Sequence, residues 1–284
     1  MPSPRFLALV GPTTSGKTAL SIAVAKDLCG EVVSMDSRQV YRGMDVGTDK
    51  VSLVERASVP HHGLDLLDPD QRYSAGRFAR DARRWIDQIR SRRKVPVFAG
   101  GTGFFLRALM EPIFAEPPLE ASRLDRLRTL LTGLPRDQLA TWVRRLDPVR
   151  AEEAVTGGTQ RMTRTLEVAL LTGRPLSWWH RNAGVEAPGV PGVVVVLAIP
   201  REELDRRIAA RVDRMLDRGL VDEVARLREA GFGPGDPGMS GTGYREVAGY
   251  LAGDMTLEAA LESMPRGASL WFKRLREDRV LRPL

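Results

Sequence analysis

Gly11-Pro12-Thr13-Thr14-Ser15-Gly16-Lys17-Thr18 fills every fixed position of the pattern G-x-x-x-x-G-K-[ST]. It follows the apolar run Phe6 to Val10 and leads into Ala19 to Leu28, whose apolar spacing is helical. A glycine turn between a strand and a helix lets backbone N–H groups converge on phosphate oxygens, and the helix N-terminus adds its positive end. Lys17 supplies a mobile cation to the same phosphates, and Thr18 offers a hydroxyl to a Mg2+ ion bridging them. Gly11, Pro12, Thr13, Thr14, Ser15, Gly16, Lys17 and Thr18 are therefore expected to cradle a polyphosphate. Whether that polyphosphate is ATP is left open by the loop itself.

Outward from the loop, short apolar runs alternate with helical spacing. Glu31 to Met35 reads as a second strand, Arg77 to Ser91 as an amphipathic helix, and Val95 to Ala99 as a buried strand running into Gly100-Gly101-Thr102-Gly103. This alternation predicts an α/β fold, a parallel sheet of the P-loop NTPase type flanked by helices. After Glu111 the pattern changes: Pro112, Pro117 and Pro118 punctuate the chain, and helical spacing continues to Trp179. Leu124, Leu127, Leu130 and Leu131 form one apolar stripe, and Leu166, Leu170 and Leu171 another. Val193 to Ile199 reads as a buried strand and Glu202 to Ala230 as one long helix. The expected organisation is a catalytic core over 1–111 and 187–284, interrupted by a helical insertion domain over 112–186.

Composition narrows the class. Charged residues make up 28% and hydrophobic residues 43% of 284 residues, ordinary for a globular protein. No apolar run is long enough for a bilayer, and the N-terminus lacks the regions of a signal peptide. The single cysteine, Cys29, suits a reducing compartment, so a cytoplasmic protein is expected. A net charge of +7, carried almost wholly by arginine, points to a polyanionic partner. No assembly surface is evident, so a monomer is expected. His61, His62 and His180 have no metal-ligand spacing, which argues against zinc and leaves the adjacent pair for hydrogen bonding in a loop near the core crevice.

The acid of a phosphate-loop ATPase is looked for at the end of a later strand, yet the strand at Val95 to Ala99 ends in Gly-Gly-Thr-Gly. The acid lies instead after the second strand, in Asp36-Ser37-Arg38-Gln39-Val40-Tyr41, where a parallel sheet opens its ligand crevice. Together with Gly43-Met44-Asp45-Val46-Gly47-Thr48, Pro60-His61-His62, Gly100-Gly101-Thr102-Gly103, Gln160-Arg161, Arg164 to Val168, Thr172-Gly173-Arg174-Pro175 and Gly243-Tyr244-Arg245-Glu246, this chain resembles the tRNA dimethylallyltransferase family, in that order over nearly its whole length. These proteins are also called tRNA isopentenyl-pyrophosphate transferases.

The resemblance implies a specific chemistry. The phosphate loop would hold the pyrophosphate of dimethylallyl pyrophosphate, with Mg2+ assisting, and the N6 amine of an adenosine beside the tRNA anticodon would attack the allylic carbon. Asp36 matches the family's general base, Thr102 a residue that orients the reacting groups, and Arg211 an arginine that reaches the pyrophosphate. Asp36, Ser37, Arg38, Gln39 and Thr102 in the core, and Gln160, Arg161, Met162, Thr163 and Arg164 in the insertion, would touch the tRNA, with the adenosine threaded between core and insertion. Family members also carry an Ala-Lys-Arg-Gln-like run before a Trp-Phe-Arg near the C-terminus. Here Met264 to Arg274 keeps Trp271-Phe272-Lys273 but not the preceding run. The residues alone leave a small-molecule kinase, prenyl transfer to a free adenine nucleotide, and RNA binding without catalysis as alternatives.

Overall fold

β-branched and small apolar residues in runs of four or five, too short for independent helices, line up side by side as strands. The structure is a computed structural model that describes residues 3–115 and 117–264. In chain order the first stretch contains β1 (Leu7–Val10), α1 (Lys17–Asp27), β2 (Glu31–Ser34), α2 (Leu53–Ser58), β3 (His61–His62), α3 (Ala75–Ser91), β4 (Pro96–Gly100) and α4 (Gly103–Met110). Then come β5 (Ile113–Phe114), α5 (Ala121–Thr132), α6 (Arg136–Leu146), α7 (Ala151–Thr156), α8 (Thr159–Thr172), α9 (Leu176–Asn182) and β6 (Val185–Ala187). The chain finishes with β7 (Val193–Val196), α10 (Arg201–Asp217), α11 (Leu220–Glu229), α12 (Tyr244–Ala252) and α13 (Leu257–Ser263). Two compact units result: Met1–Glu111 with Gly189–Leu284, and Pro112–Pro188.

In the first unit the sheet order is β3-β2-β4-β1-β7, with every described pairing parallel. Parallel strands all end at the same edge, so the segments leaving β2, β4 and β1 emerge next to one another. Those segments are Met35-Asp36, Gly101-Thr102 and the phosphate loop. The backbones close tightly there: a Cβ on Gly100 would collide with the Met35 carbonyl, so that position takes glycine. Phe78, Ala82, Ile86 and Ile89 of α3 pack with Phe98, Phe105 and Leu109, and the Phe78 and Phe105 rings stack at 4.3 Å. A further cluster joins Val40, Tyr41 and Met44 to Leu220, Val224, Tyr244 and Val247, and so ties the segment after β2 to α11 and α12. The chain leaves this unit after Met110 and returns beside it, the Val190 N–H donating to the Leu109 carbonyl at 3.0 Å.

The second unit packs α5, α6, α7 and α8 around Leu131, Leu139, Val143, Ala154, Met162 and Leu166. β5 and β6 pair antiparallel. Two buried carboxylates are satisfied inside it: Asp147 accepts from the Ser177 N–H at 2.9 Å, and Glu167 from Arg128 at 2.6 Å.

Several expectations are corrected. The helix expected from Glu202 to Ala230 is broken at Gly219, whose φ of 86° is left-handed, giving α10 and α11. The strand at Val193 is not buried: Val193, Val195 and Val196 are exposed, because β7 lies at the edge of the described sheet with β1 as its partner. Leu130 and Leu170 are exposed, whereas Leu131 and Leu166 are buried, so each stripe is narrower than its spacing suggests. His61 and His62 form the short edge strand β3, not a loop. Trp271-Phe272-Lys273 lie outside the described residues. Among the described residues, no helix is long and apolar enough to cross a membrane.

The basic turn after α3 also has a defined partner. Glu31, at the start of β2, is buried, and its carboxylate accepts from Arg92 at 2.7 and 3.0 Å and meets the His62 ring at 2.7 Å, with Lys94 at 3.3 Å. Burial alone raises a carboxyl pKa, but the Arg92, His62 and Lys94 contacts outweigh it and bring Glu31 down to about 2. A depressed carboxyl stabilises the fold above its unfolded value and stops doing so as pH falls through the folded one. Glu31→Gln should therefore cost about 1–2 kcal/mol at neutral pH after allowance for solvent screening. In urea unfolding across pH, that gap should close between 4.5 and about 2.

Candidate active site

The phosphate loop is shaped by backbone conformations that few residues adopt. Thr14 has φ 65° and Gly16 φ 82°, and the Ser15 N–H closes a turn on the Pro12 carbonyl at 3.2 Å. α1 begins with no side chain capping its N-terminus, so its first N–H groups stay available to an anion. The Lys17 ammonium folds back onto the Pro12 carbonyl at 2.5 Å and lies 3.3 Å from Ser15 Oγ. Burial lowers the Lys17 pKa to about 8, with Asp36 opposing the shift and Arg211 adding to it. The Thr18 carbonyl is taken by Ser21, and the Thr18 hydroxyl has no hydrogen-bond partner among the described residues. All eight loop residues expected at the site thus form one structure at the end of β1.

Asp36 and Thr102 come together at the neighbouring strand ends. Asp36 Oδ1 accepts the Arg38 N–H at 2.8 Å, which fixes the carboxylate in its own turn and leaves Oδ2 without a hydrogen-bond partner among the described residues. The Thr102 hydroxyl accepts the Ser37 N–H at 3.2 Å. Arg38 turns its guanidinium onto the Pro237 carbonyl and Ser240 Oγ. Gln39 bonds Ser34 Oγ at 2.8 Å and the Thr48 carbonyl at 3.2 Å, bracing the segment that follows.

That segment carries no regular structure from Met44 to Asp49, and a buried carboxylate organises it. Glu223 of α11 accepts the N–H groups of Asp45, Val46 and Gly47 at 2.9, 2.8 and 3.1 Å and the Tyr244 hydroxyl at 2.5 Å. A Cβ on Gly47 would lie 2.6 Å from the Tyr244 ring, so the close approach requires glycine. Burial and the Glu223 charge together push the Tyr244 phenol upward, keeping it a donor.

The remaining wall is α10. Arg207, Arg211, Arg214 and Arg218 recur at four-, three- and four-residue intervals, which places them on one helix face. All four line a crevice of about 590 Å3 shared with Lys17 and Asp36. Arg207 approaches the Thr14 carbonyl at 3.5 Å and pairs with Glu203 at 2.6 Å. Burial weighs against the Arg211 charge, and Asp49 and then Asp36 offset it. The family resemblance singles out Arg211, and the structure sets Arg207, Arg214, Arg218, Asp49 and Glu223 around it or behind its loop. The spacing of the arginines was the available signal for three of them; Glu223 and Asp49 have none, because their partners are distant in sequence.

The expected RNA-contacting residues of the insertion lie at the start of α8 in the second unit. Gln160 is exposed, and Arg161 and Arg164 are half-buried, reaching Glu153 at 3.7 Å and Glu167 at 3.5 Å. Met162, expected with them, is wholly buried in that unit's core: a helix surface cannot present consecutive residues on one side.

Residues 39–275 match the IPP transferase family, and residues 4–58 match the isopentenyl transferases. A tRNA dimethylallyltransferase of Thermomicrobium roseum is 42% identical over 95% of this chain and 84% of its own length. The chain belongs to the IPP transferase family. Other family members include a tRNA dimethylallyltransferase of Roseiflexus sp., 40% identical over 95% of this chain and 90% of its own. The crystal structure of a tRNA isopentenylpyrophosphate transferase from Bacillus halodurans is similar at TM-score 0.67 and 31% identity, covering 98% of this chain and 88% of that one. A eukaryotic dimethylallyltransferase acting on tRNA is similar at TM-score 0.78 and 28% identity, covering 97% and 69%.

Two outcomes follow for this IPP transferase. A cationic Lys17 exists below about 8, so the share of anion affinity it carries is present there and is lost as pH rises through that value. The KM for a pyrophosphate donor should climb by up to about tenfold per pH unit beyond it, and Lys17→Ala should flatten that limb of the KM profile. Glu223→Ala leaves three N–H groups and a phenol without their acceptor, and should lower stability by roughly 2–4 kcal/mol in chemical denaturation.

Proposed function

We propose that this chain is a tRNA dimethylallyltransferase, moving the dimethylallyl group from dimethylallyl pyrophosphate to N6 of the adenosine 3′ to the anticodon and releasing pyrophosphate. The observation that carries the reading is that Asp36, Thr102 and the phosphate loop leave three adjacent strands, β2, β4 and β1, at one edge of the sheet. An ATP-hydrolysing site would put its acid elsewhere.

On this reading the donor's pyrophosphate lies on the loop N–H groups, Lys17 and Arg211, which neutralise the charge that grows on the leaving group. The free Oδ2 of Asp36 accepts the N6 proton while the bond from N6 to the allylic carbon forms and the carbon–oxygen bond to pyrophosphate breaks. Thr102, anchored on the Ser37 N–H, positions the reacting groups. The unpartnered Thr18 hydroxyl is a hard oxygen donor that fits Mg2+. When bound, the ion would supply further charge neutralisation on the pyrophosphate. For the RNA, Ser37, Arg38 and Gln39 would act at the core crevice. Gln160, Arg161, Thr163 and Arg164 would offer amide, guanidinium and hydroxyl groups to phosphates and splayed bases. The enzyme would work as a cytoplasmic monomer.

The test is transfer of radiolabel from dimethylallyl pyrophosphate to unmodified tRNA with an adenosine-rich anticodon loop, in Mg2+. Label should enter tRNA and not AMP, and Asp36→Ala should lower kcat by about 100- to 10,000-fold with donor binding retained. ATP-dependent phosphorylation of a small molecule, with no label in tRNA, would overturn the proposal.

A further inference from the structure

Arg207, Arg211 and Arg214 on α10, with Arg218 at its C-cap, are more positive charge than adjacent positions on a helix favour, since like charges three and four residues apart repel. Two of them share a counter-ion outside the helix. Asp49 Oδ1 accepts from Arg218 Nη1 at 3.1 Å, and Asp49 Oδ2 faces Arg211 Nε at 3.8 Å. Among the described residues, neither terminal nitrogen of Arg211 has a partner.

The structure goes to some length to place this carboxylate. Asp49 sits at φ 51°, a left-handed conformation that aspartate, asparagine and glycine enter more readily than other residues. Its N–H closes a turn on the Val46 carbonyl at 3.0 Å. Gln39 Nε2 donates to the Thr48 carbonyl at 3.2 Å and reaches the Asp49 carbonyl at 3.5 Å, and Glu223 gathers the N–H groups three and four residues upstream. The next residue, Lys50, is locked by the Tyr41 carbonyl at 2.8 Å and Asp65 at 2.6 Å. The Asp49 carboxylate is half-exposed and faces the end of α10 between Arg211 and Arg218.

We propose that Asp49 is a positioning residue for the donor site: its carboxylate, anchored by Arg218, faces the Nε edge of Arg211, and its charge keeps the two terminal nitrogens of that guanidinium turned to the pyrophosphate. The inference rests on the assignment of the phosphate-loop crevice to the pyrophosphate of the donor. An arginine offered as a fork binds phosphate with two donors, and fixing its plane beforehand removes the ordering cost at binding. Asp49 touches neither substrate nor reacting atoms; it acts through Arg211.

The experiment compares Asp49→Asn and Asp49→Gly in the full chain, with dimethylallyl pyrophosphate and tRNA varied separately. Both replacements tolerate the left-handed backbone, so they remove the charge without adding strain. Each should raise the donor KM by about five- to twentyfold and leave the tRNA KM within about twofold, as expected for losing the nearby charge that orients the guanidinium. In an Arg211→Ala background Asp49→Asn should add less than about twofold, because the residue through which it acts is gone. An unchanged or lowered donor KM in Asp49→Asn, or full additivity with Arg211→Ala, overturns the inference. Lys17→Ala run in parallel separates the two ways of failing. If Lys17→Ala raises the donor KM and Asp49→Asn does not, the crevice holds the donor and only the role of Asp49 is wrong. If neither moves it, the crevice assignment and the inference fall together.

Discussion

A single buried carboxylate, Glu223, holds one side of the site in place. The segment after β2 must carry Asp36 at one end and Asp49 at the other, yet from Met44 to Asp49 it has neither helix nor strand to satisfy its backbone. A buried backbone without partners costs free energy at every N–H. Glu223 removes that cost for three consecutive residues at once, and the Tyr244 hydroxyl satisfies the carboxylate in turn. The loop is thereby as fixed as an element of secondary structure, but its fixing point lies almost two hundred residues away along the chain. The C-terminal helices are in this sense part of the site.

Charge is managed with similar economy. The crevice brings Lys17, Arg207, Arg211, Arg214 and Arg218 together, with Asp36, Asp49 and Glu55 as the acids of its lining. These cations are accommodated differently: Lys17 folds onto a carbonyl and burial lowers its pKa, Arg207 pairs within its own helix, and Arg211 and Arg218 both face Asp49. Lys17 and Arg211 are the more buried of these cations, and an anion meeting them interacts more strongly than it would in water. Asp36 and Asp49 line the crevice together with these cations, and Glu203 pairs with Arg207 along α10.

Much of this was legible in the residues, and the boundary between what was and was not is physical. The phosphate loop, β1, β2 and β4 announce themselves because their signal is local: a motif, a run, a glycine pair. Asp36 was legible as the acid after the second strand, though its double use, one oxygen for its own turn and one left over, needed coordinates. Local patterns failed where the environment decides. Four consecutive valines look like a buried strand whether or not a neighbour covers them, and β7 is an edge. Met162 was grouped with polar neighbours by position, but a helix turns each successive residue to a new direction and this one points into the core. Gly219 alone divides a long amphipathic run into two helices, and its left-handed φ is invisible to periodicity. Asp49 and Glu223 matter through partners far off in the chain, which no window of sequence contains.

The way the chain leaves and re-enters its first unit has an evolutionary consequence. Departure after Met110 and return at Val190 lie side by side, joined by a backbone hydrogen bond from Val190 to Leu109. The excursion has its own core and its own satisfied carboxylates. A lineage could therefore lengthen, shorten or exchange it without rewriting the strands that carry the chemistry. The helical unit and the sheet would then be inherited as separable pieces of one gene, free to diverge at different rates.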